Sequence, residues 1–242
     1  MGRAPAVAAV LLIACVASGC TKTGSGEPVV ATTEVATTTT EASATSTATS
    51  TPSATPATSS SQSFELPPFG VVPTTRAPLS PNADTCAPDN SSTVTFGATV
   101  ADPAAPSLVV GVPAGFVPSS GDGDVAATMA GPDGMSATVT IAATELDPAA
   151  AFNKYGDDVT AGSPISSLSI LPGDLCGYSG QELMGTLADK PGEAVEFRDR
   201  IVHIWTNTTS YLVAIHLQGA SGTPGFDAAA TVLMADFGIR IP

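Results

Sequence analysis

The stretch 194-AVEFRDRIVHIWTNTTSYLVAIHLQ-218 decides the fold. Two runs rich in β-branched and aromatic residues flank Asn207-Thr208-Thr209, a composition suited to a hairpin loop. In the second run Tyr211, Val213, Ile215 and Leu217 fall on one face, and Leu212, Ala214 and His216 on the other. A period of two is that of a strand, not a helix. Both faces are fairly apolar, so the strand belongs in the middle of a sheet, covered on each side. The segments Ala194–Thr206 and Ser210–Gln218 therefore predict a central antiparallel hairpin.

Working outward, the same period recurs. Thr93–Val100 and Ser107–Val112 are β-rich and bounded by Asp-Pro, Ala-Pro and Val-Pro steps. Asp124–Ala130 and Met135–Leu146 flank GPDG, whose glycines suit a tight turn. Ile165–Leu171 and Gly177–Leu187 are further strand candidates. Two segments break the pattern. Asp147 suits an N-cap and Pro148 a first turn, and Ala151, Phe152, Tyr155 and Val159 then form one helical stripe. Thr223 and Pro224 open a second helix, lined by Phe226, Ala230, Leu233 and Phe237 and stopped by Gly238. The order strands, helix, strands, helix predicts an α+β domain, a mostly antiparallel β-sheet covered by two helices.

The chain begins differently. Arg3 and the amino terminus precede a twelve-residue apolar run, Ala6–Ala17, and then Ser18, Gly19 and Cys20. A membrane-spanning helix needs about 20 apolar residues, so the run reads as a secretory signal. Small residues ending on cysteine resemble the bacterial lipobox, which predicts that residues 1–20 are a lipoprotein signal peptide and Cys20 the lipid attachment site, the alternative being an ordinary secretory cleavage beside an idle cysteine. A single acyl chain holds a membrane marginally, whereas two or more hold it stably.

Residues 31–60 contain 18 Ser or Thr. Such a segment buries too little apolar surface to offset its ordering entropy, so residues 21–83 are expected to form a disordered Ser/Thr/Pro-rich tether. Its r.m.s. span would be roughly 45 Å, enough to lift a domain clear of a bilayer. It reads equally as a plain spacer or as a stalk for O-glycosylation. Residues 84–242 are then one globular domain, with 18 acidic and five basic side chains and a net charge of −13. That balance argues against nucleic acid and against attraction to anionic lipid.

Outside the signal and Cys20, the cysteines are Cys86 and Cys176. In an exported domain they are expected to pair in a disulfide, with free thiols or a metal pair as the alternatives. The bridge would close a loop of about 90 residues, worth on the order of 4–5 kcal/mol in the chain-entropy model.

Catalytic signatures are weak. GYSGQ at 177–181 approaches the nucleophile elbow but has Gln181 where the final glycine belongs. His203 and His216 lie on adjacent arms of the central hairpin and, if neighbours, would suit a base for serine or aspartate. Asp122/Asp124 and Asp157/Asp158 lack the spacing of a calcium loop. Arg198 and Arg200 share a strand face and suit either an anion or the surrounding carboxylates. Asn90-Ser-Ser and Asn207-Thr-Thr match a glycosylation pattern that a bacterial chain would not use. No catalytic residue, metal or cofactor is expected.

SLVVGVPAGF at 107–116, ELDPAAAFNKY at 145–155 and TPGFDAAATVLMADFGIRIP at 223–242 resemble the mycobacterial LpqN/LpqT lipoprotein family. The resemblance implies a Mog1/PsbP-like sandwich, residence on the extracytoplasmic face of an actinobacterial membrane, and handling of envelope glycolipids. The expectation is a lipid-anchored, non-enzymatic protein that binds an envelope glycolipid, an acyl chain or a protein partner. A surface scaffold without a pocket, or an unrecognised hydrolase using His203 or His216, are the alternatives. Phe116, Tyr155, Tyr178, Trp205 and Tyr211 are the aromatic candidates for a ligand site or for core.

Overall fold

The structure is a computed structural model that describes residues 69–89 and 94–242. Cys20 and most of the expected tether lie outside the described residues, as does Asn90. Among the described residues the chain runs β1 (Asp84–Cys86), β2 (Thr95–Ala98), β3 (Ser107–Gly111), β4 (Val117–Ser120), β5 (Val125–Ala130), β6 (Ser136–Thr144), α1 (Pro148–Thr160), β7 (Ile165–Pro172), β8 (Ser179–Ala188), β9 (Val195–Trp205), β10 (Ser210–Ala220), α2 (Phe226–Leu233) and β11 (Gly238–Arg240).

The central hairpin is β9–β10, paired from Val195–Ala220 to Trp205–Ser210. On its other side β10 pairs with β6, from Ser210–Thr144 to Gln218–Ser136. Strand β10 is thus central, as its two apolar faces require. The turn between β5 and β6 closes through Asp133 (φ 53°) and Gly134 (φ 78°). Gly131 stays extended at φ −105°.

The sheet architecture corrects the expectation of a single sheet. A seven-stranded antiparallel sheet runs β4-β5-β6-β10-β9-β8-β7, and a second, four-stranded one runs β1-β11-β3-β2. Leu108 and Val110 of β3 and Ile239 of β11 share a buried core with Val202, Ile204, Tyr211, Val213, Ile215 and Leu217 of the central hairpin. Phe226, Ala230 and Leu233 of α2 complete it. Helix α1 covers the opposite face, where Phe152 meets Leu183, Phe197, Ile201 and Ala214. The central sheet has helical cover on both faces, but one face shares its cover with the small sheet. Tyr211, 1% exposed, and Phe116, 7% exposed, are core residues.

Helix boundaries follow their caps. The Asp147 carboxylate accepts a hydrogen bond from the Ala150 N–H at 2.9 Å, starting α1 as its sequence predicts. At α2 the expected cap does not form. The Thr223 hydroxyl donates to the Ala220 carbonyl at 2.6 Å, and Gly225 occupies the N-cap in a left-handed conformation. The helix ends at Leu233, because Phe237 and Gly238 lead into β11 instead of continuing the turn.

The domain also begins earlier than residue 84. Phe69–Leu79, expected within the tether, is bound to the sheet. The Gly180 N–H donates to the Gly70 carbonyl at 3.0 Å. The Gln181 side-chain amide donates to the Phe69 carbonyl at 2.6 Å. Polar side chains on distant strands hold this segment's backbone, a cause that local composition does not reveal. The Cys86–Cys176 disulfide is present and joins β1 to the loop before β8.

Candidate functional site

Ser179 opens β8 and lies directly opposite His203 of β9. Residues opposite one another in an antiparallel pair point to the same face, with their Cβ atoms about 4.5–5.5 Å apart. The GYSGQ serine and one of the two histidines are therefore adjacent. The Ser179 hydroxyl is nevertheless engaged elsewhere: it donates to the Val72 carbonyl at 2.9 Å and accepts from the Val72 N–H at 3.1 Å.

His203 is 4% exposed. Its Nε2 lies 3.1 Å from the Leu146 carbonyl oxygen. A carbonyl only accepts, so Nε2 carries the proton. Burial, the largest influence, pulls the imidazole below its ordinary value of 6.5. The Leu146 bond and Asp147 oppose the shift, and Arg76 adds to it. The ring is neutral at pH 7, and Nδ1 presents a lone pair. That atom is buried without a hydrogen-bond partner. A buried polar atom left unsatisfied costs roughly 1–3 kcal/mol.

Two cavities meet at this ring. One of about 440 Å³ is walled by Leu79, Tyr178, Ser179, Trp205 and the Cys176 end of the disulfide. The other, of about 490 Å³, is walled by Arg76, Glu145, Asp147, Thr208 and Ser210. Both are lined by His203 and by Thr74 of the segment passing over it. The first offers aromatic and aliphatic surface, the second charged and hydroxyl groups. Tyr178 is fixed by donating its hydroxyl to Thr85 Oγ1 at 3.0 Å. Asn207, in the left-handed turn between β9 and β10, accepts from the Leu79 N–H at 2.8 Å and donates to the Leu79 carbonyl at 2.9 Å. The glycosylation-like asparagine is a structural clamp.

His216 is not part of this site. It pairs with Asp199, four positions along β9 from His203, roughly 13 Å at strand rise. Its Nδ1 donates to Asp199 Oδ1 at 2.6 Å. Burial lowers the His216 value, but the bond to Asp199 and its charge outweigh this and raise it. Asp199 is fully buried, and burial raises its carboxyl despite His216. Tyr155 of α1 lies over this pair, its hydroxyl pushed up by burial and then by the Asp199 charge. Arg200 is 5% exposed and meets Glu182 and Asp236, while Arg198 reaches Asp227 at 3.7 Å. The arginines thus face carboxylates of the chain itself. Among the described residues no group of three or more His, Cys, Asp or Glu side chains is placed to hold a metal ion. No helix among them is long and apolar enough to cross a membrane.

Of the five aromatic candidates, Tyr178 and Trp205 line the cleft. The polar half of the site, with Arg76 and Thr74, escapes a sequence reading because those residues lie in a Pro/Thr-rich stretch with no periodic pattern.

No protein-family model and no curated protein matches the chain. Among solved structures it is similar to LpqN, described as involved in cell envelope biogenesis of Mycobacterium tuberculosis, at 17% identity and a TM-score of 0.47. The match covers 61% of this chain and 91% of that one. A likeness of that size carries no conclusion about what this chain does.

Proposed function

We propose that this protein is a lipid-anchored component of a bacterial cell envelope, acylated at Cys20, and that its domain acts by binding rather than by catalysis. The observation that carries this reading is the pair of cavities meeting at His203. One wall suits an acyl chain, stacked against Trp205 and Tyr178. The other suits a hydroxylated head group, in reach of Arg76, Glu145, Asp147 and Thr208. A mostly apolar concavity with a few convergent polar groups is the usual form of a ligand site. An envelope glycolipid or a simple acyl lipid fits both halves. The Ser179 hydroxyl favours binding over hydrolysis, since both of its hydrogen bonds go to Val72 and neither to His203.

The test is a native mass spectrum of the full chain extracted in mild detergent from an actinobacterial host, followed by lipid analysis of the same sample. A lipid bound at near one per chain supports the reading. A ligand-free mass overturns it. Cys20→Ser should move the protein from the membrane to the aqueous fraction; retention on the membrane would sink the anchor.

A second reading, docking of a protein partner, draws on β7. This edge strand carries no charged residue and exposes Ile165, Ile170 and Leu171. Uncharged, exposed edges invite pairing with another strand. Cross-linking in intact cells that captures a partner from wild type and from Trp205→Ala, but not from Ile170→Lys, would favour this reading.

A further inference from the structure

The segment crossing the cavities is held at both ends and free between them. At one end Gly70 and Val72 are bonded to Gly180 and Ser179. At the other, Asn207 grips Leu79 by both backbone groups. Residues 73–78 between the clamps are exposed, and among the described residues they make no hydrogen bond. Thr74, in the middle, lines both cavities together with His203. The Nδ1 of His203 is unpartnered and water-inaccessible, and Leu146 fixes the ring proton on Nε2.

We propose that residues 73–78 are a lid, and that under it His203 Nδ1 accepts a hydrogen bond from an O–H or N–H donor on an uncharged ligand. This rests on the binding reading above and narrows it to the chemistry of one ligand group. Nδ1 has no hydrogen-bond partner in the chain, so a ligand hydroxyl that reaches it when the lid lifts satisfies an atom that is otherwise buried alone. An ester or ether oxygen placed there sets lone pair against lone pair. The ring stays neutral because its burial outweighs the Leu146 bond and the Asp147 charge, with the Arg76 charge adding to the shift. Clamping the lid at its ends lets the middle lift without unfolding a strand, because 73–78 belongs to neither sheet.

Trp205 is the sole tryptophan of the chain and lines the first cavity, so its fluorescence reports occupancy. The full chain in one detergent would be titrated with dodecan-1-ol, which has a donor, and with methyl dodecanoate, which has only acceptors. Wild type should favour the alcohol by about tenfold over its preference in His203→Phe, a comparison in which partition into the micelle cancels. Equal preference in the two proteins overturns the hydrogen bond to His203 Nδ1 and leaves the binding reading standing. Binding of neither probe overturns both. If His203→Phe does not fold, the ¹⁵N resonance of His203 Nδ1 in wild type decides: it should move on adding the alcohol and not the ester, and the absence of movement overturns the hydrogen bond to Nδ1. Asn207→Ala releases one clamp, and should speed both association and release of dodecan-1-ol several-fold; unchanged rates overturn the lid.

Discussion

Asp199 holds a carboxylate wholly out of water with one hydrogen-bonded oxygen, the other being unpartnered. Such a group is tolerated because His216 supplies a charge-assisted donor. Both members of the pair have raised values in the fold, His216 above 6.5 and Asp199 above 3.8. A raised value means that the folded state holds its proton more tightly, so both groups favour folding at lower pH. The His216 contribution is complete below about pH 6.5 and is lost as pH rises through the folded value. The urea midpoint of wild type should therefore fall as pH rises above neutrality. In Asp199→Asn that fall should flatten. The same variant removes the Asp199 charge and leaves burial opposed only by the Gln218 bond and a neutral amide, so the His216 titration, followed by NMR, should fall relative to wild type. A His216 value unchanged by Asp199→Asn would remove the carboxylate as the cause.

Among the elements, the lid-bearing segment is the least expected. Its clamp depends on Gly70, at φ 74°, where a Cβ would sit 2.1 Å from the Gly180 carbonyl oxygen. A left-handed conformation costs a residue with a side chain about 1–2 kcal/mol, and the clash adds to this. Gly70→Ala should therefore speed hydrogen exchange at the Gly180 amide by about tenfold or more, while the amides of β10 stay protected. Equal acceleration in both would show that the segment is not a separate unit. The long strands and α1 were legible because each repeats its period over eight or more residues and, for α1, carries Asp147 at its start. Strands β1, β4 and β11 are three or four residues long, too short for a period to show. Helix α2 was legible by its apolar stripe but not by its cap, since the Thr223 hydroxyl turned to a nearby carbonyl.

At the scale of the molecule, the Cys86–Cys176 bridge ties the small sheet to the loop that opens β8 and closes a span of 90 residues. Removing it by Cys86→Ala with Cys176→Ala should lower unfolding free energy by roughly 4–5 kcal/mol if chain entropy governs. Urea titration of oxidised wild type and the double variant measures this. A loss under 1 kcal/mol would mean that the small sheet is held by its apolar core alone. The intact chain should also weigh two hydrogens less than its reduced form.

The sequence by itself determined the central hairpin, the antiparallel α+β class, the start of α1 and the cysteine pair. These follow from local periodicity, from capping chemistry and from there being two cysteines in residues 84–242. Only the tertiary structure decided that there are two sheets, that His203 sits beside Ser179 and far from His216, and that Phe69–Leu79 belongs to the domain. Each of these depends on pairing between residues far apart in the chain. In the last case Ser179, Gln181 and Asn207 provide hydrogen bonds more than 100 positions away, and no local pattern in a Pro/Thr-rich stretch encodes them.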